Sequence, residues 1–297
     1  MTDKETALQP LLISGRVEMR TGNGHLPKLV LTAARSTAEI YLHGAHVTHF
    51  QKQNERPLLF MSAQSLFASD KPIRGGVPLI FPWFGPRDGA AAHGFVRTAA
   101  WSLVESSVTD NETSVTLELA QAADSAEWPA HRLRYRVIAG ETLRLELETA
   151  NTSLTRELKY EECLHTYFAI GDIHATRITG LQGVRYLDKV DHFTEKTETS
   201  SEIAITGETD RVYLNTTSSV TNPHPAGRRL FVGEKSDSNS TVVWNPWIAK
   251  AKAMADFGDD EYPQMLCVES GNVDRNRLTL APGANATLAV ELRSEAF

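Results

Sequence analysis

Apolar and polar residues alternate with a period of two along most of this chain. The pattern is clearest in LRYRVIAG and ETLRLELETAN, where Leu and Val point one way and Arg and Glu the other. Gly140-Glu141 between them predicts a turn, so His131–Ala139 and Leu143–Asn151 read as a hairpin with one wet face. Similar strand signals fall at Leu11–Met19, Lys28–Thr32, Thr37–Gln51, Trp101–Val108, Ser114–Ala120, Glu157–Glu161 and Cys163–Ile170. Shorter ones follow at Thr176–Thr179, Ala204–Thr206, Val212–Asn215, Arg228–Glu234, Thr241–Trp244, Met265–Glu269, Leu278–Leu280 and Ala286–Leu292. Helical periods are scarce, with one short excursion expected over Gln121–Trp128. Many short strands without an internal linker or repeat predict an all-β chain, a large antiparallel β-sandwich spanning residues 1–297 as one domain.

One stretch breaks the alternation. From Lys71 to Arg97 the chain reads KPIRGGVPLIFPWFGPRDGAAAHGFVR, and Pro72, Pro78, Pro82 and Pro86 exclude a long helix or a central strand. Val77, Leu79, Ile80, Phe81, Trp83 and Phe84 are too apolar for a solvated linker, so this is a long loop packed onto the sheet, of the kind that carries function. Its three arginines, one lysine and one aspartate give a net charge of +3 in a chain whose total is −7. The cationic island points to a bound anion. Arg74 precedes Gly75-Gly76, a pair expected to let backbone approach a ligand. The run His93-Gly94-Phe95-Val96-Arg97 reads as extended, with His93, Phe95 and Arg97 on one face. Guanidinium forks bind phosphate through paired, charge-assisted hydrogen bonds, which makes a phosphate-sized pocket the first expectation, with Lys71 and Arg87 adding field at its rim.

Composition narrows the rest. An acidic balance and a sequence pI near 5.8 disfavour nucleic acid as the anion, so a small one is expected. The chain is 41% hydrophobic and 23% charged, with no run approaching the ~18 apolar residues of a membrane span. The N-terminal MTDKETALQP has no apolar signal core, and two cysteines, Cys163 and Cys267, argue against a disulfide framework. A cytoplasmic monomer without membrane or nucleic-acid partners is expected.

Single residues carry the candidate chemistry. In CLHTYFAI, alternation puts Cys163, His165, Tyr167 and Ala169 opposite the more apolar Leu164, Thr166, Phe168 and Ile170. His165 is then either a proton-exchanging group or a structural histidine bonded to a neighbour. In QMLCVES, Met265, Cys267 and Glu269 share a face, and Glu269 at the end of that strand either pairs with a cation or sits where burial tunes its basicity. Asp210, read as preceding a strand, caps a turn or accepts hydrogen bonds from sugar hydroxyls. Trp244 and Trp247 offer surface for a sugar ring or for a core. The two cysteines read as buried packing residues. His43, His46 and His49 are spaced for one face of a helix but lie in a strand-like segment, which argues against a metal site. Nucleotide-binding, hydride-transfer, serine-esterase and zinc motifs do not occur.

Taken together, IRGGVPLIFPWFGPR with AHGFVR, then ECLHTYFAIGDI, TDRVYLN and MLCVESGNV resemble the D-hexose-6-phosphate mutarotases of the aldose 1-epimerase family, in the family's order and over nearly the whole chain. The resemblance implies a galactose-mutarotase-like supersandwich and anomer interconversion of hexose 6-phosphates, chiefly glucose 6-phosphate. It implies an acid at His165, a base at Glu269, phosphate ligands at Arg74, His93 and Arg97, and a hydroxyl ligand at Asp210. Ala92 stands where the family often has Gln, removing one polar phosphate contact. One acid and one base suffice for such a reaction, so no metal or redox cofactor is expected. Two other readings are a mutarotase of unphosphorylated aldoses and a carbohydrate-binding sandwich without catalysis.

Overall fold

Strands dominate the computed structural model, which describes residues 9–216, 220–224 and 228–296. The N-terminal lead through residue 8 lies outside the described residues. Two large antiparallel sheets form the body. A seven-stranded sheet runs Val220–His224, Arg228–Ser236, Asn285–Ala296, Leu143–Asn151, His131–Ala139, Thr113–Ala122, Trp101–Val108. The hairpin read from LRYRVIAG and ETLRLELETAN lies within it, paired from His131↔Asn151 to Ala139↔Leu143. The second sheet orders Thr194–Thr197, Arg185–Asp188, Thr209–Leu214, Ser240–Asn245, Met265–Asn272, Glu162–Leu164 and Leu79–Ile80, with Tyr167–Ala169 also paired to Met265–Asn272. Val17–Thr21, Pro27–Thr32, Ser36–Tyr41 and His46–Lys52 make a four-stranded sheet, and Leu158–Tyr160 pairs with Leu278–Leu280. Trp247–Ala253 is the one α-helix among the described residues.

Alternation decides which side chains meet. Leu117, Tyr135, Leu145, Leu288 and Val290 of the seven-stranded sheet share a buried cluster with Leu164, Phe168, Tyr213, Val243, Leu266 and Val268 of the other. Burying such side chains stabilises the sandwich by about 1.5–3 kcal/mol each. The opposite face of the second sheet carries Tyr167, Trp244, Met265 and Cys267 in one small cluster and Cys163, Val212, Leu214 and Val242 in another. Register aligns Asp210 with Trp244, Trp244 with Cys267, and Cys267 with Tyr167, one row across four strands on that face. Gly271 makes the neighbouring strand fit: a Cβ there would lie 2.4 Å from the Glu162 carbonyl oxygen.

Several sequence expectations need correction. Gln121–Trp128 is not helical. The strand Thr113–Ala122 continues through Gln121, and Asp124 and Ser125 then accept from the backbone N–H groups of Ala130 and Trp128, side-chain bonds that compete with helix. Thr37–Gln51 is a hairpin rather than one strand, turned at Gly44 and Ala45 with φ of 72° and 48°. Thr176–Thr179 and Ala204–Thr206 form no strands; a lone bridge joins Ile178 and Ile203. Cys163–Ile170 is broken at His165-Thr166, because the His165 N–H turns to the Pro78 carbonyl oxygen.

The proline-rich stretch packs as expected, with Val77, Leu79, Ile80 and Phe81 fully buried and Leu79–Ile80 adding an edge strand. Gly75 and Gly76 serve a different end from the one read in the sequence. Their φ values are 110° and 61°, and added Cβ atoms would lie 2.4 Å from the Phe60 oxygen and 2.2 Å from the Val47 oxygen. They let loop approach protein backbone, not ligand. His43 and His46 brace the same loop by donating to the carbonyl oxygens of Lys71 and Gly75, each at 2.7 Å.

Candidate active site

The face of the second sheet turned away from the core floors a cleft of about 450 Å³. His165, Glu269, Arg74, His93, Arg97 and Asp210 all line it, although they come from distant parts of the chain. Strand register explains the central pair. Leu164 pairs with Ser270 and Tyr167 with Cys267; carried across the two-residue break, this register sets His165 against Glu269. His165 Nε2 and Glu269 Oε1 are 3.3 Å apart, both side chains buried. Glu269 sits inside the strand Met265–Asn272, not at its end as the sequence suggested, since Ser270, Gly271 and Asn272 keep pairing. Asp210 likewise lies within Thr209–Leu214 instead of preceding a strand, because Thr209 and Asp210 already pair with Asn245 and Trp244.

The pair is held from several sides. The His165 ring stacks on Tyr167 at 4.9 Å and 14°, and meets His93 edge-on at 5.6 Å. Trp244 packs edge-on against both His165 and Tyr167. The Cys163 thiol donates to Glu269 Oε2 at 3.4 Å, while Oε1 is buried without a hydrogen-bond partner among the described residues. Burial first, then the Asp210 charge, holds the Glu269 carboxyl well above the usual range. Burial, then His93 and the two arginines, holds His165 well below its usual value. Both groups are thus driven toward their neutral forms, a carboxyl carrying the proton beside an imidazole that can take it.

The cationic end is built from loops. His93 and Arg97 do not lie on one strand face, as the extended reading of His93–Arg97 required. His93 has φ of 66°, Val96–Thr98 is a 3-10 turn, and Phe95 is left 37% exposed. His93 is held by its N–H donating to the Gly85 oxygen and by the Gly85 N–H donating to its Nδ1. That folding still delivers His93 and Arg97 to the cleft. Arg74 donates through Nε and Nη2 to Asp256 Oδ2 and through Nη1 to the Tyr167 hydroxyl. Burial opposes its charge, but Tyr167 and Asp256 outweigh it and keep the guanidinium protonated. Arg97 donates through Nη2 to the Ala92 carbonyl oxygen at 2.6 Å; burial and the Arg74 charge bring its pKa down to about 10, so it remains a cation at neutral pH. Burial and nearby cations pull His93 to about 3. Arg87 lies apart, stacked over Trp83 and paired with Glu127, and Lys71 pairs with Asp70.

Sequence reasoning missed Lys189 and Asp256. Lys189 lines the cleft and pairs with Asp210, while Asp256 orients Arg74. Neither sits in a motif, and both enter through loops with no periodic signal. His165, Cys267 and Glu269 bring one donor atom each to within 4.8 Å, the one such group among the described residues. The charges of Arg74 and Arg97 act on the same space and oppose a cation there. Both cysteines are free and buried.

The sandwich carries this cleft on one face of its second sheet, and comparison with known proteins identifies the class. The aldose 1-epimerase family profile matches residues 27–293, so the chain belongs to the aldose 1-epimerase family. A Cenchrus ciliaris protein provisionally named a glucose-6-phosphate 1-epimerase is 38% identical over 282 residues, 89% of this chain and 83% of the relative. A protein of Escherichia coli (strain K12) with the same provisional name is 35% identical over 255 residues, 82% and 83% of the two chains. The crystal structure of YeaD from Salmonella typhimurium, provisionally called a mutarotase, superposes with a TM-score of 0.87 at 29% identity, covering 99% of each chain. The expected fold and family both hold.

Proposed function

We propose that this protein interconverts the α and β anomers of hexose 6-phosphates, chiefly glucose 6-phosphate, with Glu269 as base and His165 as acid. The observation that carries the reading is one cleft in which His165 Nε2 and Glu269 Oε1 lie 3.3 Å apart and Arg74 and Arg97 face the same space. The pair shares one proton, and in the reactive form it lies on His165: the Glu269 carboxylate then takes the proton from the C1 hydroxyl while the His165 imidazolium gives one to the ring oxygen. The bond from C1 to the ring oxygen breaks and leaves an open-chain aldehyde. Rotation about C1–C2 presents the other face of the carbonyl. His165, now neutral, removes the proton from the sugar hydroxyl that closes the ring, and Glu269 returns a proton to the aldehyde oxygen. The bare Glu269 Oε1 is the atom available to the hydroxyl, and the Cys163 thiol on Oε2 fixes the carboxyl plane. Each proton transfer contributes about 10² to 10⁴ in rate.

Arg74, Arg97 and His93 hold the phosphate, so that binding energy distant from C1 positions it against the pair. Asp256 and Tyr167 pre-orient the Arg74 fork, and Ala92, whose carbonyl holds Arg97, contributes backbone where a Gln would reach with its side chain. Asp210 accepts from sugar hydroxyls. Polarimetry on freshly dissolved α-glucose 6-phosphate tests the reading. The wild type accelerates mutarotation, and Glu269→Gln and His165→Asn abolish most of the acceleration; retention of wild-type rates by either variant overturns the assignment. A protein that binds the sugar phosphate without accelerating exchange is a binding module instead.

A further inference from the structure

We propose that Lys189 is a specificity-determining residue, which with Asp210 forms a donor–acceptor clamp on hydroxyls of the sugar ring. The inference rests on the anomerase reading and adds a residue to it. Lys189 Nζ lies 3.0 Å from Asp210 Oδ2, with side chains 15% and 12% exposed, and both residues line the cleft. The other lysine of the lining, Lys250, differs: it pairs with Glu208 through side chains 41% and 33% exposed, at the rim.

Chemistry explains why a buried ion pair would be kept here. An ionised carboxylate only accepts hydrogen bonds and an ammonium only donates them, whereas each sugar hydroxyl can do both. Asp210 alone would read the hydrogen of a hydroxyl and leave the oxygen lone pairs of its neighbour unread. Lys189 has three N–H donors, and its pairing with Asp210 occupies one, leaving donors for a ligand in the cleft. The ammonium also lies 4.9 Å from the centre of the Phe84 ring, which in turn packs edge-on against His93 at 4.9 Å. Phe84 therefore packs against both the clamp and His93.

The backbone supports the placement. Lys189 opens a 3-10 turn, Lys189–Asp191, between the strands Arg185–Asp188 and Thr194–Thr197. The turn closes through His192 and Phe193, two successive non-glycine residues with φ of 49° and 60°. Such residues cost of order 1–3 kcal/mol each when held left-handed. The Phe193 N–H donates to the Asp188 oxygen, and Lys196 pairs with both Asp188 and Asp191 at 2.8 Å, bracing the turn from its outer side. This turn presents Lys189 and Phe193 to the cleft.

The test compares kcat/KM for glucose 6-phosphate and its 2-, 3- and 4-deoxy analogues in the wild type, Lys189→Met and Lys189→Arg. In the wild type at least one analogue falls roughly 10- to 100-fold below glucose 6-phosphate. In Lys189→Met the parent sugar falls by a similar factor and that analogue shows no further loss, while Lys189→Arg restores part of the discrimination. Equal losses on every substrate, with the discrimination intact, would mean that Lys189 only supports the fold, and the inference fails. An unchanged Lys189→Met profile also overturns it. A wild type without turnover sinks the anomerase reading and this inference with it, whereas normal wild-type turnover with intact discrimination in the variant sinks this inference alone.

Discussion

The two ends of the cleft are built differently. His165 lies at the break between two short strands that both pair with the strand of Glu269, so the flanking ladders set their separation, and Tyr167, Trp244 and Cys163 pack around them. Arg74 and His93 hang from the proline-rich loop, which His43 and His46 brace and where Gly85 holds His93, and Arg97 hangs from a 3-10 turn. On the proposed reading, proton transfer falls off sharply when donor and acceptor lose hydrogen-bond reach, so a proton-transferring pair gains from the rigidity of a sheet. On the same proposal the arginines present charge to a phosphate, and charge acts over a longer distance than a hydrogen bond, so loops suffice at that end. The electrostatics differ in the same sense. Burial drives the pair toward neutral forms, while Arg74 and Arg97 keep their charges.

Mutations should separate the two ends. The largest effect is expected at the pair: Glu269→Gln lowers kcat by at least about 10³-fold on phosphorylated and free sugar alike, read by polarimetry. At the handle, Arg74→Ala lowers kcat/KM for glucose 6-phosphate about 10²-fold, equivalent to about 3 kcal/mol, with a much smaller change for glucose. Cys163→Ala removes the thiol hydrogen bond to Glu269 Oε2 and lowers kcat about tenfold or less with KM unchanged. The smallest effect is expected from Arg87→Ala. It breaks a pair with Glu127 away from the cleft and changes kcat/KM less than about twofold.

A second buried carboxylate sharpens the comparison. Glu162 is fully buried like Glu269, yet both its oxygens accept, from Thr149 and from Asn272, and it does not line the cleft. Burial raises its pKa from 4.5 to about 8. The folded chain thus holds a proton that the unfolded chain has lost. This contribution to stability is full below pH 4.5 and is lost as pH rises toward about 8, with a slope of about 1 kcal/mol per pH unit. Glu162→Gln should remove that part of the slope, seen as urea midpoints that change less between about pH 5 and about pH 8 than those of the wild type. An unchanged slope would show that Glu162 is ionised in the fold.

Much of the architecture was legible because strand alternation is a local signal. Leu278–Leu280 and the hairpin His131–Ala139 with Leu143–Asn151 could be read residue by residue, and alternation placed His165 and Tyr167 on the face opposite Leu164 and Phe168. What local pattern could not show was which strands are neighbours. The register that sets His165 against Glu269 joins segments a hundred residues apart, and only the ladder contains it. Loops were the other limit. His93 adopts a left-handed conformation that alternation treats as extended, and Gly75 and Gly76 answer to the backbone of Phe60 and Val47. Lys189 and Asp256 were invisible for the same reason, since their importance comes from Asp210 and Arg74 lying beside them.

Arg97 offers the most direct test of the proposed division between handle and chemistry, because its guanidinium donates to the Ala92 backbone and, among the described residues, forms no hydrogen bond to His165 or Glu269, acting on His165 through charge. The measurement is the ratio of kcat/KM for glucose 6-phosphate to that for glucose, in the wild type and in Arg97→Ala. The ratio should collapse by about 10²-fold while turnover of glucose is retained. If both substrates lose activity by the same factor, Arg97 serves the fold or the chemistry rather than the phosphate, and the division is wrong.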